Sequence, residues 1–214
     1  MNKRLLFISY CIFAIVISYI PFIGLPFIYL GTIFHEMSHA LVALLTGGQM
    51  MEFSLSPNGS GYVRTSGSIL FLTAFSGYFG VTIWAMLLFQ VGHKKNLTRI
   101  TLGTLIFIFS MILILWVKSL MTFIILGLVI AMLLFILLKT SLQLIPYLAQ
   151  AMAILILFNA IKSPLYLIDG RNIGDGAALA EITWLPEIFW VSIWCGWGIC
   201  VLYFLFRSTS FKQE

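Results

Sequence analysis

Charged side chains are scarce in this sequence. Asp, Glu, Lys and Arg make up 9% of the 214 residues, whereas hydrophobic residues make up 61% and the mean hydropathy is +1.08. Soluble globular domains carry about 25% charged residues, so this composition excludes a soluble globular domain. The chain is predicted to be an integral, multi-pass membrane protein. Because apolar segments fill nearly all of it, a single membrane-embedded domain over residues 1–214 is expected.

Cysteine is also rare, and its spacing excludes a cysteine-based metal site. Cys11, Cys195 and Cys200 lie in apolar stretches without a CxxC pair, so we interpret them as packing residues. The 12 lysines and arginines are scattered near segment ends, where they reach lipid headgroups, and this disfavours nucleic acid as a partner. With seven spans these cations divide equally between the two sides, so the orientation stays open.

The long apolar segments predict the fold class. A transmembrane helix needs about 20 apolar residues, which predicts helices near residues 5–21, 27–46, 69–91, 100–117, 120–138, 141–161 and 186–206. The polar breaks at 118–119 and 139–140 are so short that six spans, seven spans or a re-entrant arrangement are all open. The expected fold is all-α, a polytopic transmembrane helix bundle of about six to seven spans.

Two segments interrupt this pattern. Residues 47–68 alternate polar and apolar side chains and then contain the turn-forming run 57–61, which predicts a small β-hairpin at or in the membrane surface. Residues 162–181 contain Gly and Asp and predict a loop with a short helix.

The stretch IFHEMSHA places three ionisable side chains in an apolar segment. His35 and His39 are four residues apart, so they share one helix face, and Glu36 lies beside them. An HExxH helix is typical of hydrolytic zinc sites, in which the two histidines bind Zn²⁺ and the glutamate is the general base. Ionisable groups within a bilayer cost several kcal/mol and indicate function, which favours this interpretation over mere hydrogen bonding in a bundle.

A catalytic zinc site usually has three protein ligands, so one more must come from elsewhere. His93 lies in a basic break near a segment end, where an interfacial role suffices. The glutamates outside the motif lie in loops, at a helix start or at the tail: Glu52, Glu181, Glu187 and Glu214. Asp169 and Asp175, both in the loop after the sixth apolar segment, remain as candidate ligands.

These features together resemble the site-2-protease-type intramembrane zinc metallopeptidases, and more specifically their compact bacterial members (peptidase M50B-like). The resemblance covers about residues 30–190 and rests on the HExxH helix, the Gly47-Gly48 pair after it, the hairpin and a late Asp-Gly. It implies a Zn²⁺ cofactor, a bacterial cell membrane and a membrane-protein substrate with a transmembrane segment. The substrate-binding residues are not predicted.

The resemblance points to two different third ligands. In the family an Asp from an Asn-Pro-Asp-Gly segment completes the site. Asn159, Pro164, Asp169 and Gly170 are similar to that segment, although the Asn lies two residues further upstream, and this favours Asp169. The stretch GDGAALAEITWLPEIFW instead resembles the SDA…AE.T..P…W stretch of the compact members and favours Asp175. FSGYFG (75–80) resembles another family signature, but close helix packing through its two glycines also explains it.

The predicted function is an intramembrane zinc metalloprotease that hydrolyses peptide bonds in or next to transmembrane segments. The alternative is a zinc-binding membrane protein that acts as a non-proteolytic regulatory or binding partner; a transporter is disfavoured by the lack of repeats. A helical substrate must be unwound before hydrolysis, and a strand edge near 51–56 could pair with it. A plain connector or an amphipathic lid explains the hairpin equally well.

Overall fold

The computed structural model describes residues 3–168, 170–171 and 173–209. Its helices are α1 (Lys3–Ser18), α2 (Pro21–Leu45), α3 (Leu70–Val91), α4 (Lys95–Leu115), α5 (Leu120–Lys139), α6 (Ile145–Lys162), α7 (Asp175–Thr183) and α8 (Glu187–Ser208). Strands β1 (Gln49–Leu55) and β2 (Gly61–Ser66) follow α2, and a 3₁₀ helix (Ser163–Leu167) follows α6.

The predicted bundle with a small hairpin is confirmed. All seven predicted long helices form, and within the described ranges six helices, α2 to α6 and α8, are long and apolar enough to cross a membrane. Three helix starts differ from the prediction by four residues or more. Helix α2 begins at Pro21 rather than near 27. Helix α4 begins at Lys95 rather than near 100, because its polar first turns remain helical. Helix α6 begins at Ile145 rather than 141, with Pro146 in its first turn, where proline loses no helical hydrogen bond.

Helix α6 lies at the centre of the bundle. It contacts α1, α2, α3, α4 and α8, and its side chains from Met152 to Leu157 are all buried. Helix α2, which carries the HExxH motif, packs against both α3 and α6. The motif is therefore placed on a helix that protein surrounds on several sides.

The hairpin joins α2 to α3. Strands β1 and β2 pair antiparallel, with Phe53 opposite Val63 and Leu55 opposite Gly61. In the turn, the Ser56 amide donates to the Ser60 carbonyl (2.8 Å), and Gly59 adopts a φ of +88°, which glycine tolerates without strain. The predicted turn run 57–61 thus forms the tip of the hairpin.

The outer edge of β1 is occupied by the connection between α4 and α5. The Phe53 amide donates to the Trp116 carbonyl (3.0 Å), and the Leu55 amide donates to Oγ1 of Thr122 (3.0 Å). The Trp116 indole also donates to the Met50 carbonyl (2.8 Å). The expectation that an edge near 51–56 is free to pair with a substrate is therefore wrong, because that edge already has partners within the chain.

Thr122 is a buried contact between the hairpin and α5. A Thr122→Val variant keeps the shape of the side chain but leaves the Leu55 amide without its acceptor, which costs about 1–3 kcal/mol for a buried donor. We expect a clear fall in the thermal unfolding midpoint of the detergent-solubilised protein. Thr104→Val is the control, because the Thr104 hydroxyl bonds only within α4 at an exposed position. Equal midpoints for the two variants would contradict this role of Thr122.

Candidate metal centre

The two motif histidines face each other on one side of α2. Their Nε2 atoms are 3.0 Å apart and their rings are nearly perpendicular, with centroids 4.7 Å apart. His39 is buried and His35 is half-buried. Residues four apart on a helix lie one turn above each other, so this convergence follows from the local spacing.

The first residue of α7 meets both imidazoles. Oδ2 of Asp175 lies 3.0 Å from Nε2 of His35 and 3.2 Å from Nε2 of His39. The three side chains form one His/His/Asp group that could hold a metal ion. Of the two aspartates predicted as candidates, the structure brings Asp175 to the histidines; Asp169 lies outside the described residues.

The donor set fits a zinc ion. Nδ1 of His39 lies 2.6 Å from the Thr73 carbonyl. Because a carbonyl only accepts, Nδ1 carries a proton, and when the ring is neutral its Nε2 has a lone pair available for a metal. Ligand atoms of a tetrahedral zinc with bonds of 2.0–2.1 Å are about 3.3 Å apart, and the observed separations of 3.0–3.2 Å are close to this spacing.

The electrostatics of Asp175 also suit a cation site. Burial by itself raises the pKa of the Asp175 carboxyl, but the imidazoles of His39 and His35 outweigh burial, and the pKa falls well below its usual range. The carboxylate is therefore ionised at neutral pH, and it can offset part of the charge of a divalent metal.

Helix α3 borders the metal centre through two glycines. A Cβ atom at Gly77 would lie 2.5 Å from Cε1 of His35 and 2.5 Å from Nε2 of His39. A Cβ atom at Gly80 would overlap the Ser38 side chain. The segment FSGYFG thus packs closely against the HExxH helix, and Gly77 leaves the space beside both metal-facing nitrogens open.

Glu36 lies between the metal centre and the hairpin. It is 5% exposed, and its carboxyl group interacts with His35, His39 and Asp175. The backbone of Val63 in β2 also interacts electrostatically with this carboxyl group. The predicted base is therefore adjacent to the predicted ligands and to the second strand of the hairpin.

A cavity of about 730 Å³ reaches this centre. His35, Glu36 and Tyr78 line it, together with the hairpin turn (58–61) and the end of α6 with the 3₁₀ helix that follows (Asn159 to Leu167). The Tyr78 ring packs edge-on against the His35 imidazole, with centroids 4.4 Å apart. Sequence reasoning missed the contact of Tyr78 with the centre, although Tyr78 lies within the FSGYFG segment that it singled out.

The other candidate residues in the described part of the chain do not belong to the His/His/Asp group. His93 lies between α3 and α4, where its Nδ1 is 3.1 Å from the Gln90 carbonyl, and it does not belong to the His/His/Asp group. Glu52 lies in β1 near Arg64 and Tyr62, while Glu187 packs against Gly176 of α7. Glu181 lies in α7, and Glu214 is outside the described residues.

In the described part of the chain, six helices of spanning length occur together with a partly buried group of two histidines and one carboxylate, which is typical of a membrane-embedded metallopeptidase. The sequence matches the family model of Peptidase M50B-like proteins over residues 8–206, so the chain belongs to the peptidase M50B-like family, which is of the site-2-protease type. The M50 family is a family of zinc metallopeptidases. No curated protein and no solved structure matched the chain significantly.

A single methyl group at Gly77 tests the geometry of the centre. Gly77→Ala places a Cβ atom within 2.5 Å of both imidazoles, so the rings must move apart and zinc content should fall to a small fraction of the parent value. Elemental analysis of the purified variant measures this. Gly127→Ala is the matched control, because a Cβ there meets nothing within 4 Å. Full zinc content in Gly77→Ala would contradict the assigned position of the metal.

Proposed function

We propose that this protein is an intramembrane zinc metalloprotease that hydrolyses peptide bonds in or next to transmembrane segments of other membrane proteins. The observation that carries the proposal is the convergence of His35, His39 and Asp175 on one point beside Glu36, on a membrane-spanning helix. Membership in the peptidase M50B-like family supports the same class of reaction.

His35, His39 and Asp175 are the residues that would hold Zn²⁺. When bound, zinc polarises a carbonyl group and makes water a strong nucleophile near neutral pH. Thr73 orients His39 by accepting the proton of Nδ1, and this leaves Nε2 directed at the centre. Asp175 is preferred over Asp169 as the third ligand because its Oδ2 is within 3.2 Å of both imidazoles.

Glu36 is the general base in this proposal. Its carboxylate accepts a proton from the attacking water and then delivers that proton to the nitrogen of the leaving amine. Burial keeps bulk water away from this carboxylate, and a positioned acid–base group contributes about 10²–10⁴-fold to the rate. A protein that only bound zinc as a regulatory partner would not need an acid in this position.

The substrate enters through the cavity in an extended form. A transmembrane helix satisfies its backbone within itself, so a segment that is unwound in lipid needs new hydrogen-bond partners. Because the outer edge of β1 is occupied, β2 is the strand that can supply them by β-augmentation. Gly61 of β2 lines the cavity, and the Val63 backbone contacts Glu36, so a strand paired there would pass beside the base.

Replacing the base separates proteolysis from zinc binding. Glu36→Gln should retain zinc near the parent value and lose cleavage by at least about 100-fold, since proton transfer from water is removed. The assay is mass spectrometry of a pool of synthetic single-span peptides in detergent micelles. Glu52→Gln is the matched control, because Glu52 lies in the hairpin near Arg64 and Tyr62. A parent that binds zinc but cuts no peptide would favour the regulatory alternative.

The two aspartates can be separated by zinc stoichiometry. Asp175→Ala should lose most of the bound zinc because the only carboxylate that touches the imidazoles in the described part of the chain is removed. Asp169→Ala should keep it. The opposite pattern would show that Asp169 is the ligand and that Asp175 has another role.

A further inference from the structure

Two hydroxyl groups on α2 hold the tip of the hairpin. The Tyr29 hydroxyl donates to the Pro57 carbonyl (2.9 Å) and also lies 3.2 Å from the Ser56 carbonyl. The Thr32 hydroxyl donates to the Gly59 carbonyl (2.6 Å). These carbonyls belong to the turn itself, so the turn is bonded directly to the helix that carries the HExxH motif.

The turn also packs closely on this helix. A Cβ atom at Gly59 would lie 2.8 Å from Cγ2 of Ile28, and one at Gly61 would lie 2.8 Å from Cγ2 of Thr32. Glycine at both positions therefore lets the backbone approach α2. Hydrogen bonds and van der Waals contacts together fix the distance between the turn and the helix.

The hydroxyl groups and the proposed base lie along one face of α2. Tyr29, Thr32 and Glu36 have the spacing i, i+3 and i+7, which places them on one side of a helix. Each meets a successive part of the hairpin: Tyr29 meets Pro57, Thr32 meets Gly59 and Glu36 meets the Val63 backbone. These three contacts thus define the position of the hairpin along α2.

The hydrogen bonds at the opposite edge of the hairpin do not set this position along α2. Trp116 and Thr122 bond to β1, whereas Tyr29 and Thr32 bond to the turn that leads into β2. The position of β2 relative to the base depends instead on the contacts from α2. Thr32 and its partner Gly59 line the same cavity that reaches His35 and Glu36.

We infer that Tyr29 and Thr32 are positioning residues that fix β2 relative to Glu36 and thereby determine which peptide bond of a bound substrate is cut. This inference rests on the proposed proteolytic function. A substrate strand that pairs with β2 takes its register from β2, and one residue of slip moves the peptide bond by about 3.3 Å relative to the base. Such a shift is large compared with the precision that catalysis needs.

The test uses variants that remove only hydroxyl groups. Tyr29→Phe and Thr32→Val, combined in the full-length protein, delete the bonds to Pro57 and Gly59 with almost no change in volume. The single variant Thr32→Ser keeps the hydroxyl group and should behave like the parent protein. Thr104→Val is the matched control, because that hydroxyl bonds only to Ile100 within α4.

Three readouts separate positioning from general damage. In the double variant, amide hydrogen exchange of residues 56–63 should rise, while zinc content stays at the parent value. The rate constant kcat for single-span peptides should fall about tenfold, the equivalent of two lost hydrogen bonds. Mass spectrometry should show cuts at neighbouring peptide bonds in addition to the original one.

The outcomes also separate this inference from the proposed function. Unchanged hairpin exchange together with a single unchanged cut site, in variants of an active parent, overturns the role of Tyr29 and Thr32 and leaves the protease proposal intact. A parent that binds zinc but cuts none of the peptides overturns the proposed function and this role with it. If the double variant loses zinc while the control variant keeps it, the inferred role of Tyr29 and Thr32 is also overturned, because the hydroxyls would then act on the metal centre.

Discussion

The desolvation of a carboxylate and two imidazoles inside an apolar bundle is the constraint on which the rest of the structure depends. Asp175, His35 and His39 approach within 3.2 Å of one another. Groups of this kind are expensive in a membrane unless they are paired or coordinate a metal. A divalent cation satisfies all three at once, because each side chain offers one ligand atom to the same point.

The residues packed around Asp175, His35 and His39 also suit a bound cation. Helix α3 contributes a carbonyl, from Thr73, that fixes the tautomer of His39, and a glycine, Gly77, that leaves room beside both rings. Helix α7 begins at Asp175, after Gly174 at a φ of +103°, a conformation that glycine adopts readily. Together these features suit a cation held between the three ligand atoms.

The hairpin connects the metal centre to the cavity. One strand, β1, is bonded to Trp116 and Thr122, and the other, β2, lies next to Glu36. The two strands therefore differ: β1 attaches the hairpin to the bundle, and β2 lies on the side of the proposed base. The correction from β1 to β2 as the pairing strand therefore changes the side from which a substrate would approach.

Sequence reasoning succeeded where the determinants are local. The bilayer fixes the length of apolar segments, so the ends of the long helices could be placed within about six residues. The i, i+4 spacing of His35 and His39 places both rings on one face. It could not choose between Asp169 and Asp175, because both lie far along the chain from the histidines and the approach of Asp175 depends on how α7 packs. It also offered an edge near 51–56 as one that could pair with a substrate, since only the fold brings Trp116 and Thr122 to that edge.

X-ray absorption spectroscopy of the zinc-loaded protein tests the central claim most directly. The account predicts a first shell of nitrogen and oxygen atoms at about 2.0–2.1 Å, with scattering from two imidazole rings. A well-folded preparation that takes up no zinc, or a first shell that contains sulfur or only one imidazole, would contradict it.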